Sequence, residues 1–280
     1  MKVGLMLPPT ADPGEIPALA ARAEELGFDL VAAGEHVLFG SPTGNAFVTL
    51  AAAAAATSRA RLVSAVTLLP LYPAVLAAKM TATLDRVSGG RFELGVGVGG
   101  ENPAEFAACG VPVSARGRRT DEALATVRAY LAGEAVTVEG EPTRLDPLPV
   151  GPVPIWVGGR SEASMRRAGR AGEVWMPYLC SPDRVRRGLR LAGDVAAEQG
   201  RPPVTGGLLA WSAVGPSRAD RGNRLRARLA FPRNLDIVAS RQPAAQALPD
   251  QRFVIDDQHA QRAILEISHG TQARGCCLYL

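Results

Sequence analysis

Between residue 3 and about residue 214, short apolar runs alternate with longer stretches whose apolar positions recur at helical spacing. Val3–Leu7, Phe28–Ala33, Arg61–Val66, Arg91–Val98, Ile155–Gly158, Val174–Met176 and Leu208–Val214 read as strands. Between them, Pro13–Leu26, Ala46–Ala56, a segment from Pro73 to near Ser88, Arg118–Leu131, Ser161–Ala171 and Pro182–Gln199 read as helices. Asp12 as N-cap, Pro13 at the first helical position and Gly27 at the end bound the first of these. A short helix is expected near Ala104–Cys109, and the Pro-rich stretch Val136–Pro154 reads as an inserted hairpin or loop. Strands and helices in strict alternation predict a parallel α/β fold. Seven such units favour a (β/α)8 TIM-type barrel, which takes about 250 residues, over a doubly wound open sheet.

The pattern stops near residue 225. Residues 1–225 contain one glutamine, Gln199, whereas the segment 226–280 contains Gln242, Gln246, Gln251, Gln258, Gln261 and Gln272. That segment also holds His259, His269 and the adjacent Cys276 and Cys277, and shows no clear eighth strand–helix pair. The chain therefore divides into a barrel body, 1–225, and an atypical C-terminal segment, 226–280. A frameshift near Gly222–Phe231 or a recombined end would produce this change. An ordinary divergent end would instead supply the last strand from Phe253–Asp256 or Cys277–Leu280.

Composition narrows the function classes. Apolar residues make up 47% of the 280, with 30 glycines and 5% aromatics, so the core is built mainly of Ala, Val and Leu. The net charge of +4 is almost wholly arginine, since Lys2 and Lys79 are the only lysines, and the arginines are scattered. Scattered charge argues against a nucleic-acid partner. Cys109, Cys180, Cys276 and Cys277 lack metal-ligand spacing, so neither a metal site nor a disulfide framework is expected. Met1 leads straight into a strand-like segment, and Ala46–Ala56 is too short to span a bilayer, which predicts a cytoplasmic protein.

Three segments could carry chemistry. Arg91–Gly100 is a strand running into repeated glycines, where backbone amides can approach a phosphate or a flat ring. Gly95, Gly97 and Gly100 satisfy the dinucleotide fingerprint formally. Asn102-Pro103 and the break at Gly110-Val111-Pro112 deny it the long helix it requires. Glu35-His36 follows the second strand, at the end where barrels place their active sites, and His36 is the only histidine outside the tail. Pro154–Ser161 empties a strand into Gly158-Gly159 ahead of a helix, so these glycines, Ser161 and the helix start read either as a phosphate cradle, to which Arg160 would add charge, or as a simple βα turn of small residues.

The stretch Thr81–Gly100 (TATLDRVSGGRFELGVGVGG) resembles the central signature of the luciferase-like monooxygenases. Pro73–Lys79, Glu105–Gly110, Val153–Gly159 and Ala171–Pro177 continue the resemblance in order, over roughly residues 1–215. The chain looks most similar to the branch that uses the deazaflavin F420. The resemblance implies a cofactor at the carboxyl ends of the strands, with Glu35-His36 where that branch often has Asp-His. It implies a non-prolyl cis peptide at Ala65-Val66, a cofactor lining of Gly97, Val98 and Gly99, and a phosphate held by Gly158, Gly159 and Ser161. The implied reaction is hydride transfer between F420 and a small, electron-poor substrate, with His36 handling the proton and Glu35 tuning or orienting it. The longer tail of F420 would favour a basic groove near Arg116–Arg119 or Arg160. Two other readings stand beside this one: an FMN-dependent monooxygenase of the same fold, and a catalytically defective barrel with an altered C-terminus. Dimerisation is a further expectation from the relatives.

Overall fold

Inward and outward side chains alternate along the central parallel strands of the sheet, and this alternation separates two apolar layers. The computed structural model describes residues 2–9, 11–211 and 277–279. The strands are β1 Gly4–Met6, β2 Leu30–Ala33, β3 Arg61–Ser64, β4 Thr67–Leu68 and β5 Phe92–Gly97. They continue with β6 Val136–Val138, β7 Glu141–Thr143, β8 Ile155–Gly158, β9 Val174–Met176, β10 Thr205–Gly206, β11 Leu209–Trp211 and β12 Cys277–Tyr279. The helices are α1 Ile16–Glu25, α2 Ala46–Ala56, α3 Ala74–Val87, α4 Pro103–Ala108, α5 Arg116–Leu131, α6 Glu162–Ala171 and α7 Pro182–Glu198.

The sheet order is β10-β9-β8-β5-β3-β2-β1-β12-β11, with β4 also paired to β5. Its two ends are pieces of one strand. Thr205 lies opposite Val174 and Gly206 opposite Trp175, and Leu209 bridges Tyr178 in the same register. The ladder thus returns to its start as a TIM-type barrel with seven parallel positions. The eighth differs from the parallel strand expected of a (β/α)8 barrel, because β12 runs antiparallel to both β1 and β11. Antiparallel pairing needs no crossover back to the amino end of the barrel. The expected boundary at residue 225, the strand at Phe253–Asp256, and His259, His269 and Cys276 lie outside the described residues.

Leu30, Ala32, Val63, Ala65, Trp156 and Met176 fill the barrel interior. Their neighbours Val31, Leu62, Phe92, Leu94, Ile155 and Trp175 face the helices in the larger core. Helix α2 occupies the bounds expected from sequence, with Asn45 as its N-cap accepting from the Val48 amide at 3.2 Å. Arg91 closes its other end, donating to the carbonyls of Ala54, Thr57 and Ala60. The insertion at Val136–Pro154 contains the β6–β7 hairpin.

Candidate active site

Strand β2 delivers Gly34, Glu35 and His36 to the carboxyl end of the barrel. Helix α4 meets them there from the loop after β5. Asn102 caps that helix by accepting from the Ala104 amide at 3.1 Å, and Pro103 takes its first position. This places Glu105 fully buried beneath the loop after His36. Its carboxylate accepts from the amides of Val37 and Leu38, and the His36 Nδ1 lies 3.3 Å from each of its oxygens. Phe39 stacks on the imidazole, with ring centroids 3.9 Å apart and planes at 13°. The imidazole is therefore fixed by one edge and one face, and Nε2 has no hydrogen-bond partner among the described residues.

Glu35, to which the resemblance gave the role of tuning or orienting His36, makes its hydrogen bonds elsewhere. Its buried carboxylate accepts from the amides of Leu68 (2.7 Å) and Ala46 (3.1 Å), from Asn45 Nδ2 (3.0 Å) and from the Tyr72 hydroxyl (2.9 Å). Neighbouring side chains on a chain leaving a strand point to opposite sides, which separates Glu35 from His36. Burial pushes the Glu35 carboxyl above its ordinary value. The Leu68, Ala46 and Tyr72 hydrogen bonds pull it back, and the nearby Glu105 adds to the rise. Burial also raises the Tyr72 hydroxyl, reinforced by its contact with Glu35. Glu35 is thus a tie between the start of α2 and the β4 backbone. The carboxylate facing His36 is Glu105, which sequence reasoning missed.

The floor of the mouth lies between β3 and β5. The Ala65-Val66 peptide is cis, as the resemblance implied. Val63 pairs with Glu93 and Thr67 with Val96, so four steps on one strand match three on the other. Ser64 bridges the gap, its hydroxyl donating to the Gly95 carbonyl and accepting from the Gly95 amide, both at 2.8 Å. A Cβ at Gly97 would lie 2.4 Å from Val66 Cγ2, and one at Gly158 would lie 2.8 Å from Val66 Cγ1. The two glycines therefore make room for the Val66 side chain. Val98 and Gly99 continue the rim half-buried, with Gly99 at φ +59°.

The expected phosphate cradle is partly occupied by the fold itself. The Gly159 amide donates to the Met176 carbonyl at 3.2 Å, so it belongs to the sheet. Ser161 caps α6 by accepting from the Ser164 amide, leaving the first-turn amides of Glu162 and Ala163 without backbone partners among the described residues. The exposed Arg160 holds its guanidinium 4.7 Å above the Tyr178 ring, and Tyr178 donates to Glu101 at 3.4 Å. Arg184, from the first turn of α7, donates to the Arg160 carbonyl at 2.6 Å. Neither arginine has an acidic ion-pair partner among the described residues. In the alternative basic groove, Arg118 pairs with Glu122 at 2.8 Å and Arg119 donates to the Pro70 carbonyl at 3.1 Å. Among the described residues, no helix is long and apolar enough to cross a membrane.

Comparison with known proteins agrees with this architecture. The family model of the luciferase-like monooxygenases matches residues 1–274. An uncharacterised protein of Mycobacterium tuberculosis is 36% identical over 167 residues, 58% of this chain and 57% of that protein. The chain thus spans little more than half the length of that relative. The F420-dependent glucose-6-phosphate dehydrogenase of Beutenbergia cavernae is 33% identical, over 75% of this chain and 60% of the enzyme. Among solved structures, an F420-dependent secondary alcohol dehydrogenase superposes with a TM-score of 0.70 at 24% identity, covering 81% of this chain and 74% of that one. The FMN-bound oxygenating component of a diketocamphane monooxygenase from Pseudomonas putida gives a TM-score of 0.61 at 23% identity, covering 72% and 64%. At those identities the two structures attest the fold alone.

Proposed function

The chain belongs to the luciferase-like monooxygenase family, and from that premise we propose that it is an F420-dependent oxidoreductase acting on a small organic substrate. The observation that carries this reading is the pairing of His36 with the buried Glu105 at the barrel mouth, beside the floor formed by Val66. The residues fit a flat tricycle with a phosphate-bearing tail. Val66, Val98 and Gly99 would hold the ring. Ser161 and the first-turn amides of α6 would hold the phosphate, with Gly158 and Gly159 shaping the turn. F420, when bound, supplies the hydride-carrying carbon.

The chain's own residues then manage position and proton. Glu105 holds Nδ1 of His36 as the protonated nitrogen, so Nε2 faces the mouth as the atom that gives or takes the proton. Glu35 ties α2 to β4 and keeps the floor in place. Arg160 and Arg184, unpaired by acids, suit the extra carboxylates of the F420 tail better than the shorter FMN. The FMN-dependent monooxygenase reading draws on the FMN-bound neighbour.

Parallel fluorescence titrations with oxidised F420 and with FMN test the choice. Saturable binding of F420, much tighter than that of FMN, supports the reading. Tight binding of FMN alone replaces it with the monooxygenase. Binding of neither by folded protein points to a defective barrel.

A further inference from the structure

The loop after His36 holds three consecutive apolar side chains in solvent at the barrel mouth: Val37 is 55% exposed, Leu38 48% and Phe39 45%. Single exposed apolar residues are ordinary, but a contiguous run beside a candidate proton donor is not. The backbone is pinned from beneath. Glu105 accepts from the Val37 and Leu38 amides, and Asn102 Nδ2 donates to the Leu38 carbonyl at 2.6 Å. A buried carboxylate and a helix cap thus fix the loop so that its side chains cannot fold away. No charged residue occurs from Val37 to Asn45. Among the described residues, the exposed charges of the mouth are Glu101 and Arg160, on the loops after β5 and β8, and Arg184 in the first turn of α7. The mouth is therefore divided into an ionic side and an apolar side.

We propose that Val37, Leu38 and Phe39 form the substrate wall, and that the substrate is an uncharged molecule with an apolar, preferably aromatic, portion lying against Phe39. The inference rests on the oxidoreductase reading for its word "substrate", and it extends that reading to a chemical class. One face of the Phe39 ring is covered by His36, and among the described residues its exposed area is open to a flat partner. A phosphorylated or carboxylated substrate would lose hydration against this wall and find no compensating charge on it.

The test uses the full chain and the uncharged fluorescent probe N-phenyl-1-naphthylamine. Wild type binds one probe per chain. Phe39→Ala and Leu38→Ser, which keep the backbone anchors, each weaken binding, Phe39→Ala by about tenfold. Val138→Ala, an exposed apolar control on the β6–β7 hairpin, leaves it unchanged. Acetophenone displaces the probe and glycerol 3-phosphate does not. Circular dichroism and thermal midpoints confirm that each variant is folded. No probe binding by wild type, binding unaffected by both loop variants, or displacement by glycerol 3-phosphate overturns the proposal. Oxidised F420 is titrated in parallel on the same proteins. Loss of F420 binding with the probe results intact defeats only the cofactor reading. Intact F420 binding with failed probe results defeats only the substrate class.

Discussion

His36 and Glu105 stand 69 residues apart in sequence, yet His36 Nδ1 lies 3.3 Å from both carboxylate oxygens of Glu105. Glu105 is fully buried, and its other contacts are the amides of Val37 and Leu38. One side chain thus fixes both the imidazole edge and the backbone that follows it. The hydrogen bond made by one imidazole nitrogen settles which ring nitrogen carries the proton.

Glu105→Gln keeps one oxygen for the two amides but replaces the other with a group that cannot accept. Turnover at saturating cofactor should fall by about tenfold to a hundredfold, within the range for impaired general acid–base catalysis. Cofactor affinity should stay within about twofold, since Glu105 touches no part of the proposed ring or phosphate site. Glu105→Ala strands buried donors and should instead lower stability by about 2–4 kcal/mol. Steady-state kinetics, cofactor titration and urea unfolding separate the two effects, and unchanged turnover in Glu105→Gln would remove Glu105 from the mechanism.

Glu35 carries a different signature. Its carboxyl is raised above the ordinary 4.5 by burial, against the pull of the Leu68, Ala46 and Tyr72 hydrogen bonds and with the help of Glu105. The folded chain therefore holds this proton more tightly than the unfolded chain. The resulting stabilisation is complete below pH 4.5 and is lost as pH rises through the folded value. Glu35→Gln removes this dependence, so its stability relative to wild type should improve steadily as pH is raised from 4.5. Urea midpoints for both proteins across that range measure the trend, and parallel curves would contradict it.

The contrast between these two acids shows what the sequence could and could not reveal. Bounds for α2, β8 and β9 are written locally, in an Asn45 cap, in apolar runs and in flanking glycines. The mouth position of His36 followed from strand order. The partner of His36 did not, because the resemblance pointed to Glu35 whereas the strand exit sends neighbouring side chains apart. Glu105 carries no local signal of this role, because nothing near the short helix expected at Ala104–Cys109 shows that its acid reaches across to the loop after β2. The phosphate cradle was overcounted for a similar reason, since the Gly159 amide belongs to the sheet only once β9 is beside it.

The glycines of β5 should separate packing from cofactor binding. A Cβ at Gly95 would lie 1.8 Å from the Ser64 carbonyl oxygen, a backbone atom that cannot move aside. Gly95→Ala should destabilise by about 3 kcal/mol or more, in the range of overpacked cores. At Gly97 the obstacle is the Val66 side chain, 2.4 Å from the new carbon. Gly97→Ala should remain folded, displace Val66 and weaken cofactor binding by about tenfold. The double variant Gly97→Ala/Val66→Ala relieves the clash and should recover part of the affinity. Equal loss in single and double variants would mean that Val66 is not the floor.

Glu24 gives the acid limb. Its carboxylate is penalised by burial, but hydrogen bonds from the Ala60, Arg59 and Ser58 amides and the Ser58 hydroxyl outweigh that and lower it from 4.5 to about 2. A depressed acid stabilises above its unfolded value, and the benefit is lost as pH falls from 4.5 toward 2. Glu24→Gln should therefore flatten the stability profile across that window while leaving cofactor binding at neutral pH unchanged. Thermal midpoints at several pH values below 5 provide the check, and an unaltered acid limb would assign it to other carboxylates.

Arg160 and Arg184 offer a test between the two cofactors. Both are exposed beside the start of α6, and neither is neutralised by an acid among the described residues. If they receive only the phosphate that FMN and F420 share, Arg160→Ala/Arg184→Ala should weaken both cofactors by the same factor. If they also receive the tail carboxylates, F420 should lose more than FMN, by about tenfold, and its affinity should fall more steeply with added salt. Turnover with F420 at saturation should persist in either case, because neither arginine hydrogen-bonds to His36 or Glu105. Titrations of both cofactors at two salt concentrations read the difference. Equal losses would confine the arginines to the phosphate and remove them as support for F420 over FMN.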